Sequence, residues 1–147
     1  MGRLQKCGAI LFAVFVVGGC EKSPADEGEQ VYTLIAINGQ PLPGPFPDPM
    51  RAQNVFEATS GYLRLNSSGT VEQVLTMRCK PQLPPGTQCD IPSNAVVASE
   101  GTYSRAEQSV ELEGVRYAAN FESNHIRIEV GYPPSQGLPR FILEYHR

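Results

Sequence analysis

Few residues in this chain could do covalent chemistry, and their types narrow the choice. There are two histidines, His125 and His146, four cysteines, Cys7, Cys20, Cys79 and Cys89, and two nearby carboxylates, Glu111 and Glu113. A hydrolase needs a nucleophile, a base and a group that orients the base. Both histidines fall on the polar side of alternating segments, so they read as exposed strand residues rather than catalytic bases. On a strand, Glu111 and Glu113 would stand about 7 Å apart, a spacing a glycosidase could use. The same alternation makes them outward glutamates of a half-buried strand, and that reading is preferred. There is no phosphate-binding loop, glycine-rich dinucleotide turn, Cys-x-x-Cys or histidine-rich tract. Metal binding at Cys79 and Cys89 would need further cysteines or histidines close in sequence, and none is there. The chain is expected to be non-enzymatic, with no catalytic residue, metal or cofactor.

Cys20 has a different setting. Arg3 and Lys6 begin a short basic start, Gly8 to Val17 (GAILFAVFVV) is almost wholly apolar, and Gly18, Gly19 and Cys20 follow. That order is a secretory signal peptide: a positive start, an apolar stretch of about 7–15 residues and small residues before the cut. The run is shorter than the roughly 20 apolar residues that span a membrane, and it lacks the polar periodicity of a surface helix.

The residues VGGC at 17 to 20 resemble the lipobox of bacterial lipoproteins, with Val17 where that family usually has leucine. The resemblance covers about twenty residues, and its motif is specific. It implies that residues 1–19 are removed, that the Cys20 thiol carries a diacylglyceryl group, and that the new N-terminus is acylated. More than one acyl chain gives stable anchoring where a single chain does not. In that family an aspartate after the cysteine retains the protein in the inner membrane. Glu21 stands there instead, which leans towards the periplasmic face of the outer membrane. With Cys7 lost and Cys20 lipidated, Cys79 and Cys89 remain in an exported domain, where an oxidising compartment favours their disulfide. Closing so short a loop is worth about 2–3 kcal/mol.

Residues 20–30 carry Glu21, Lys22, Asp26, Glu27 and Glu29 with no large apolar side chain, and read as a flexible tether. Such a tether spans about 15–20 Å. Residues 31–147 have the length of one domain with its own core. The formal net charge is −3, and becomes −5 without Arg3 and Lys6. An acidic domain lacks the basic face that nucleic acid requires.

Turn residues divide this domain into short segments. VYTLIAI (31–37) is a strand that stops at Asn38-Gly39. The stretch 39–49, with five prolines from Pro41 to Pro49, reads as a rigid extended connector. NVFEA (54–58), YLRL (62–65) and TVEQVLTMR (70–78) read as strands. Alternation then places Val110 and Leu112, Val115, Tyr117, Ala119 and Phe121, Ile126, Ile128 and Val130, and Phe141, Leu143 and Tyr145 on inner faces. Roughly eight or nine such segments without a long amphipathic helix point to an all-β antiparallel meander. It would close as a barrel or fold as a β-sandwich, and closure is favoured because it removes exposed edges.

The phrases YTLIAINGQPLP, GYLRLNSSGTV and GTYSRAEQSVEL are similar to the strand-turn repeats of small lipocalin-like barrels. That resemblance is loose but spans most of the domain. It implies a barrel that could hold a small apolar ligand. Tyr32, Phe56, Tyr62, Tyr103, Tyr117, Phe121, Tyr132, Phe141 and Tyr145 would either line such a pocket or fill the barrel, and filling is favoured. The functional expectation is a membrane-anchored binding module for a small apolar ligand. The alternative is a protein-interaction or hydrolase-inhibitor domain acting through the Pro/Gly-rich loops at 39–53, 79–93 and 131–139. A cavity of a few hundred cubic ångströms would favour the ligand. A filled barrel with protruding loops would favour protein contact.

Overall fold

Alternating β-branched and aromatic residues, broken by turn residues, build the molecule from strands. The computed structural model describes residues 28–46, 55–131 and 140–147. The strands are β1 (Gln30–Ile37), β2 (Gln40–Pro41), β3 (Gly44–Phe46), β4 (Phe56–Leu65) and β5 (Thr70–Cys79), followed by β6 (Ala95–Ser104), β7 (Ser109–Leu112), β8 (Val115–Phe121), β9 (His125–Val130) and β10 (Phe141–His146). From β4 to β10 each strand pairs antiparallel with the next, β10 pairs with β1, and β1 pairs with β4. Among the described residues, eight strands therefore close an up-and-down barrel, and two short strands are added to it. Closure sets the sandwich alternative aside.

The inner faces match the alternation. Tyr32, Leu63, Val110, Ile126, Ile128, Leu143 and Tyr145 are fully enclosed, and Phe141 nearly so. Phe56, Tyr103, Tyr117 and Phe121 pack against this core from partly buried positions, so the aromatic set mainly fills the barrel. Tyr62 stands outside, with the Arg64 guanidinium 5.4 Å from its ring centre, and Tyr132 lies outside the described residues. Two-residue turns at Asn38-Gly39 and Glu113-Gly114 take positive φ at both positions, the twist that tight hairpins require.

Four details depart from the sequence reading. The proline stretch is not simply a loop. Its first part forms β2 against β1 and its next part forms β3 against β4, bridging the end of the β1–β4 seam where those strands diverge. Prolines fit there because both short strands lie at an edge with no further ladder to supply. The segments read at 54–58 and 62–65 join in one strand, β4, from Phe56 to Leu65, continuous through an irregularity between Ala58 and Ser60 that lets it curve round the core, while Asn54 lies outside the described residues. Gln30, assigned to the tether, is buried and opens β1. Finally, only the GTYS end of β6 falls within a strand-turn phrase of the sequence; its AVVAS end has exposed side chains on both faces, so no alternation marks it.

The registers place the connections at two poles. Turns 66–69, 105–108 and 122–124, and the chain entry at Gln30, lie at one end, here the floor. The β1–β2 turn, the Cys79–Cys89 loop, the Glu113-Gly114 turn, the end of β9 at Val130 and the start of β10 at Phe141 lie at the other, the mouth.

Candidate functional site

The floor is sealed. Gln30 Oε1 accepts hydrogen bonds from the Tyr32 hydroxyl at 2.9 Å and from Arg105 Nη2 at 2.9 Å. The Arg105 guanidinium lies 5.3 Å from the Phe121 ring centre, and the Tyr103 ring packs 5.9 Å from the same ring. The Tyr103 hydroxyl donates to Asn66 O at 2.9 Å, tying the cluster to the 66–69 turn. A cation stacked on an aromatic face, giving one hydrogen bond inward while the rest of the exposed side chain meets water, lets a charged residue close an apolar interior.

The upper interior is not filled. A pocket of about 150 Å³ sits under the mouth. Its floor is Gln73, buried on β5, whose Nε2 donates to the Tyr145 hydroxyl at 2.7 Å across 72 residues of sequence. Burial pushes the Tyr145 phenol well above its ordinary value, and the Gln73 bond opposes this in part. Leu112, Val130, Phe141 and Leu143 supply apolar wall. Phe46 of β3 closes one side, its ring edge-on to Phe141 with centroids 5.1 Å apart. Ser99 and Tyr117 bring hydroxyls to the wall, and Glu113 and Val115 stand at the rim. Burial also raises the Tyr117 phenol. An apolar hollow with a few fixed polar groups is the usual composition of a small-molecule site.

The pocket opens because the wall is incomplete. β7 covers only Gly101–Ser104 of β6, so the mouth half of β6 parts from the β7–β8 hairpin. Val97 lies opposite buried Leu75, and Val115 opposite buried Leu112, so both face inward; yet they are 46 % and 48 % exposed. An inward valine that is half exposed marks a gap in the barrel.

A larger hollow of about 670 Å³ lies on the outer wall, among Glu29, Arg64, Thr70, Glu72, Glu100 and Thr102. Arg64 forms ion pairs there with Glu29 at 3.3 Å and Glu72 at 3.0 Å, while its buried Nε makes no hydrogen bond among the described residues.

The other sequence-marked residues are scattered. Cys20 lies outside the described residues. Cys79 and Cys89 form a disulfide at the mouth, with Cα atoms 5.9 Å apart, holding the loop after β5. His125 and His146 are cross-strand neighbours near the floor, and His125 Nδ1 lies 3.9 Å from Glu122 Oε2. Glu111 and Glu113 are not a strand pair. β7 ends at Leu112, and Glu113 sits in the turn with φ 49°, where its Oε1 accepts the Glu100 N–H at 3.0 Å. Among the described residues, no three histidine, cysteine, aspartate or glutamate side chains gather as metal ligands would. Gln73 and Ser99 were missed. Gln73 could have been found as the polar residue interrupting the inward set Val71, Leu75 and Met77. Ser99 had no such signal.

No family model, curated protein or solved structure matches this chain. Its own geometry is therefore the basis for a functional reading.

Proposed function

We propose that the protein is an exported, non-enzymatic binding module, held on a membrane through a lipidated Cys20, that seats a small apolar molecule in the mouth pocket. One observation carries the ligand reading: the hollow of about 150 Å³ resting on the Gln73–Tyr145 pair and reached through the gap beside Val97 and Val115. A space of that volume takes a benzene-sized molecule or the end of a slender chain. Among the described lining residues the charged group is Glu113, so a neutral or amine-bearing molecule suits it better than a carboxylate.

The lipobox-like VGGC and the acidic tether support the anchor, with the periplasmic face of the outer membrane preferred. The tether joins the barrel at the floor, so an anchored domain would turn its mouth away from the membrane. Mass spectrometry of the detergent-extracted protein tests the anchor. A chain beginning at Cys20 with added acyl mass is expected, whereas one that retains Met1 or lacks acyl groups overturns it.

Amide-resolved NMR tests the pocket. Adding benzene or 1-hexanol should move the signals of Ser99, Leu112, Val115 and Tyr117, with hexanoate weaker than hexylamine. No shift at these residues with any of the four probes removes the ligand reading.

A second reading has its own observation. The proline-rich segment, the disulfide loop and the β9–β10 connection all leave the barrel at the mouth. A protein-interaction or inhibitor surface would be presented there. A mouth that binds none of the probes yet retains a protein partner favours this reading.

A further inference from the structure

The mouth half of β6 is an open strand edge. From Ala95 to Ser99 it pairs with β5 through Met77 to Gln73 in unbroken register. On its other side no described strand pairs with it. The direction of its backbone groups follows from Glu100. Glu113 N donates to Glu100 O at 3.1 Å, and Glu100 N donates to Glu113 Oε1 at 3.0 Å, so the peptide groups of Glu100 point towards the gap side. Backbone groups alternate side from one residue to the next along a strand. The N–H and C=O of Val96 and Ala98 therefore point into the open side as well.

Such an edge recruits another strand unless something blocks it, commonly charge, proline or a bulge. The molecule's other short edges have a block: β2 contains Pro41 and β3 contains Pro45. The β6 edge has none. Ala95-Val96-Val97-Ala98-Ser99 contains no charge and no proline, and Val96 is 66 % exposed.

We propose that a second copy of this chain pairs antiparallel with this edge, about a two-fold axis through Val97. In that register Val96 of each copy faces Ala98 of the other, and the two pairs exchange four backbone hydrogen bonds. The large side chain meets the small one twice, and the two Val97 side chains meet on the axis. The edge suits its own copy because it is self-complementary and uncharged, and this register also sets Glu100 opposite Asn94 rather than opposite another carboxylate of the acidic chain. A two-fold contact of one patch with itself also closes, leaving no edge to extend.

Cross-linking and sedimentation test this with the full chain purified as expressed. V97C should link two copies under mild oxidation, whereas V115C, also exposed but off the axis, should not. A98P removes one outward donor from each copy and should weaken self-association by roughly tenfold or more, with the far-ultraviolet spectrum unchanged. Should A98P fail to fold, V96E serves instead, since it sets a charge in the apolar contact. A single-copy mass for the unaltered chain up to high micromolar concentration overturns the proposal. So does equal linking by V97C and V115C, or a pair that survives both A98P and V96E.

Discussion

The two poles of this barrel are made from the same kinds of residue and end differently. At the floor, β1 pairs with β4 from its first residue and β8 pairs with β9 through Phe121, and Tyr32 and Arg105, the latter stacked on the Phe121 ring, both donate to Gln30. At the mouth, β7 stops after four residues, β1 and β4 diverge, and inward valines reach solvent. On β9 and β10, strand alternation runs from one pole to the other. The difference is whether each strand has a neighbour long enough to cover its inner face. A barrel's interior is sealed by pairing as much as by hydrophobicity.

The sharpest way to break this contrast is at Gly101, where β6 passes from its paired floor half to its open mouth half. A Cβ there would collide with the Glu111 carbonyl. Gly101→Val should cost about 3 kcal/mol or more, by pushing β7 away, and urea denaturation would show it. A cost under about 1 kcal/mol would mean the contact is readily relaxed.

Next come matched truncations. Ile126, fully enclosed near the floor, should lose about 2–5 kcal/mol as Ile126→Ala. Val97→Ala at the mouth should lose less than about 1 kcal/mol, since that side chain is already half in water. Equal losses would erase the distinction between the poles.

Replacing both Cys79 and Cys89 by serine should cost about 2–3 kcal/mol on the loop-entropy account. Thermal denaturation would measure this, and floor amides should keep their hydrogen-exchange protection relative to mouth amides.

Filling the hollow is a smaller change. Ser99→Leu should alter stability by about 1 kcal/mol at most, while abolishing the probe-induced NMR shifts. Unchanged binding would place the probe elsewhere.

The last prediction appears only at alkaline pH. Burial raises the Tyr145 phenol above its ordinary value of 10.0. The folded form keeps this proton after the unfolded chain has lost it. Stability is therefore full below pH 10.0 and falls as the pH climbs towards the raised folded-state value. Tyr145→Phe should flatten that fall, at the cost of leaving the Gln73 amide without its acceptor.

Sequence alone determined the strand character, the inward faces of β7, β9 and β10 and the turns at Asn38-Gly39 and 66–69. The reason is local: side chains alternate along any strand, and turn residues favour their own backbone angles. The lipobox-like VGGC is local too, because its resemblance lies in a short run of residues read in order. Tertiary structure decided what depends on distant partners. The β1–β4 seam, the bridging role of β2 and β3, and the meeting of Gln73 with Tyr145 all join residues far apart in the chain. Strand β6 is the clearest case. Its exposed AVVAS end carries no inward–outward pattern, and it is a strand because β5 lies beside it. Whether its other edge stays open depends on where β7 ends, which no residue of β6 encodes.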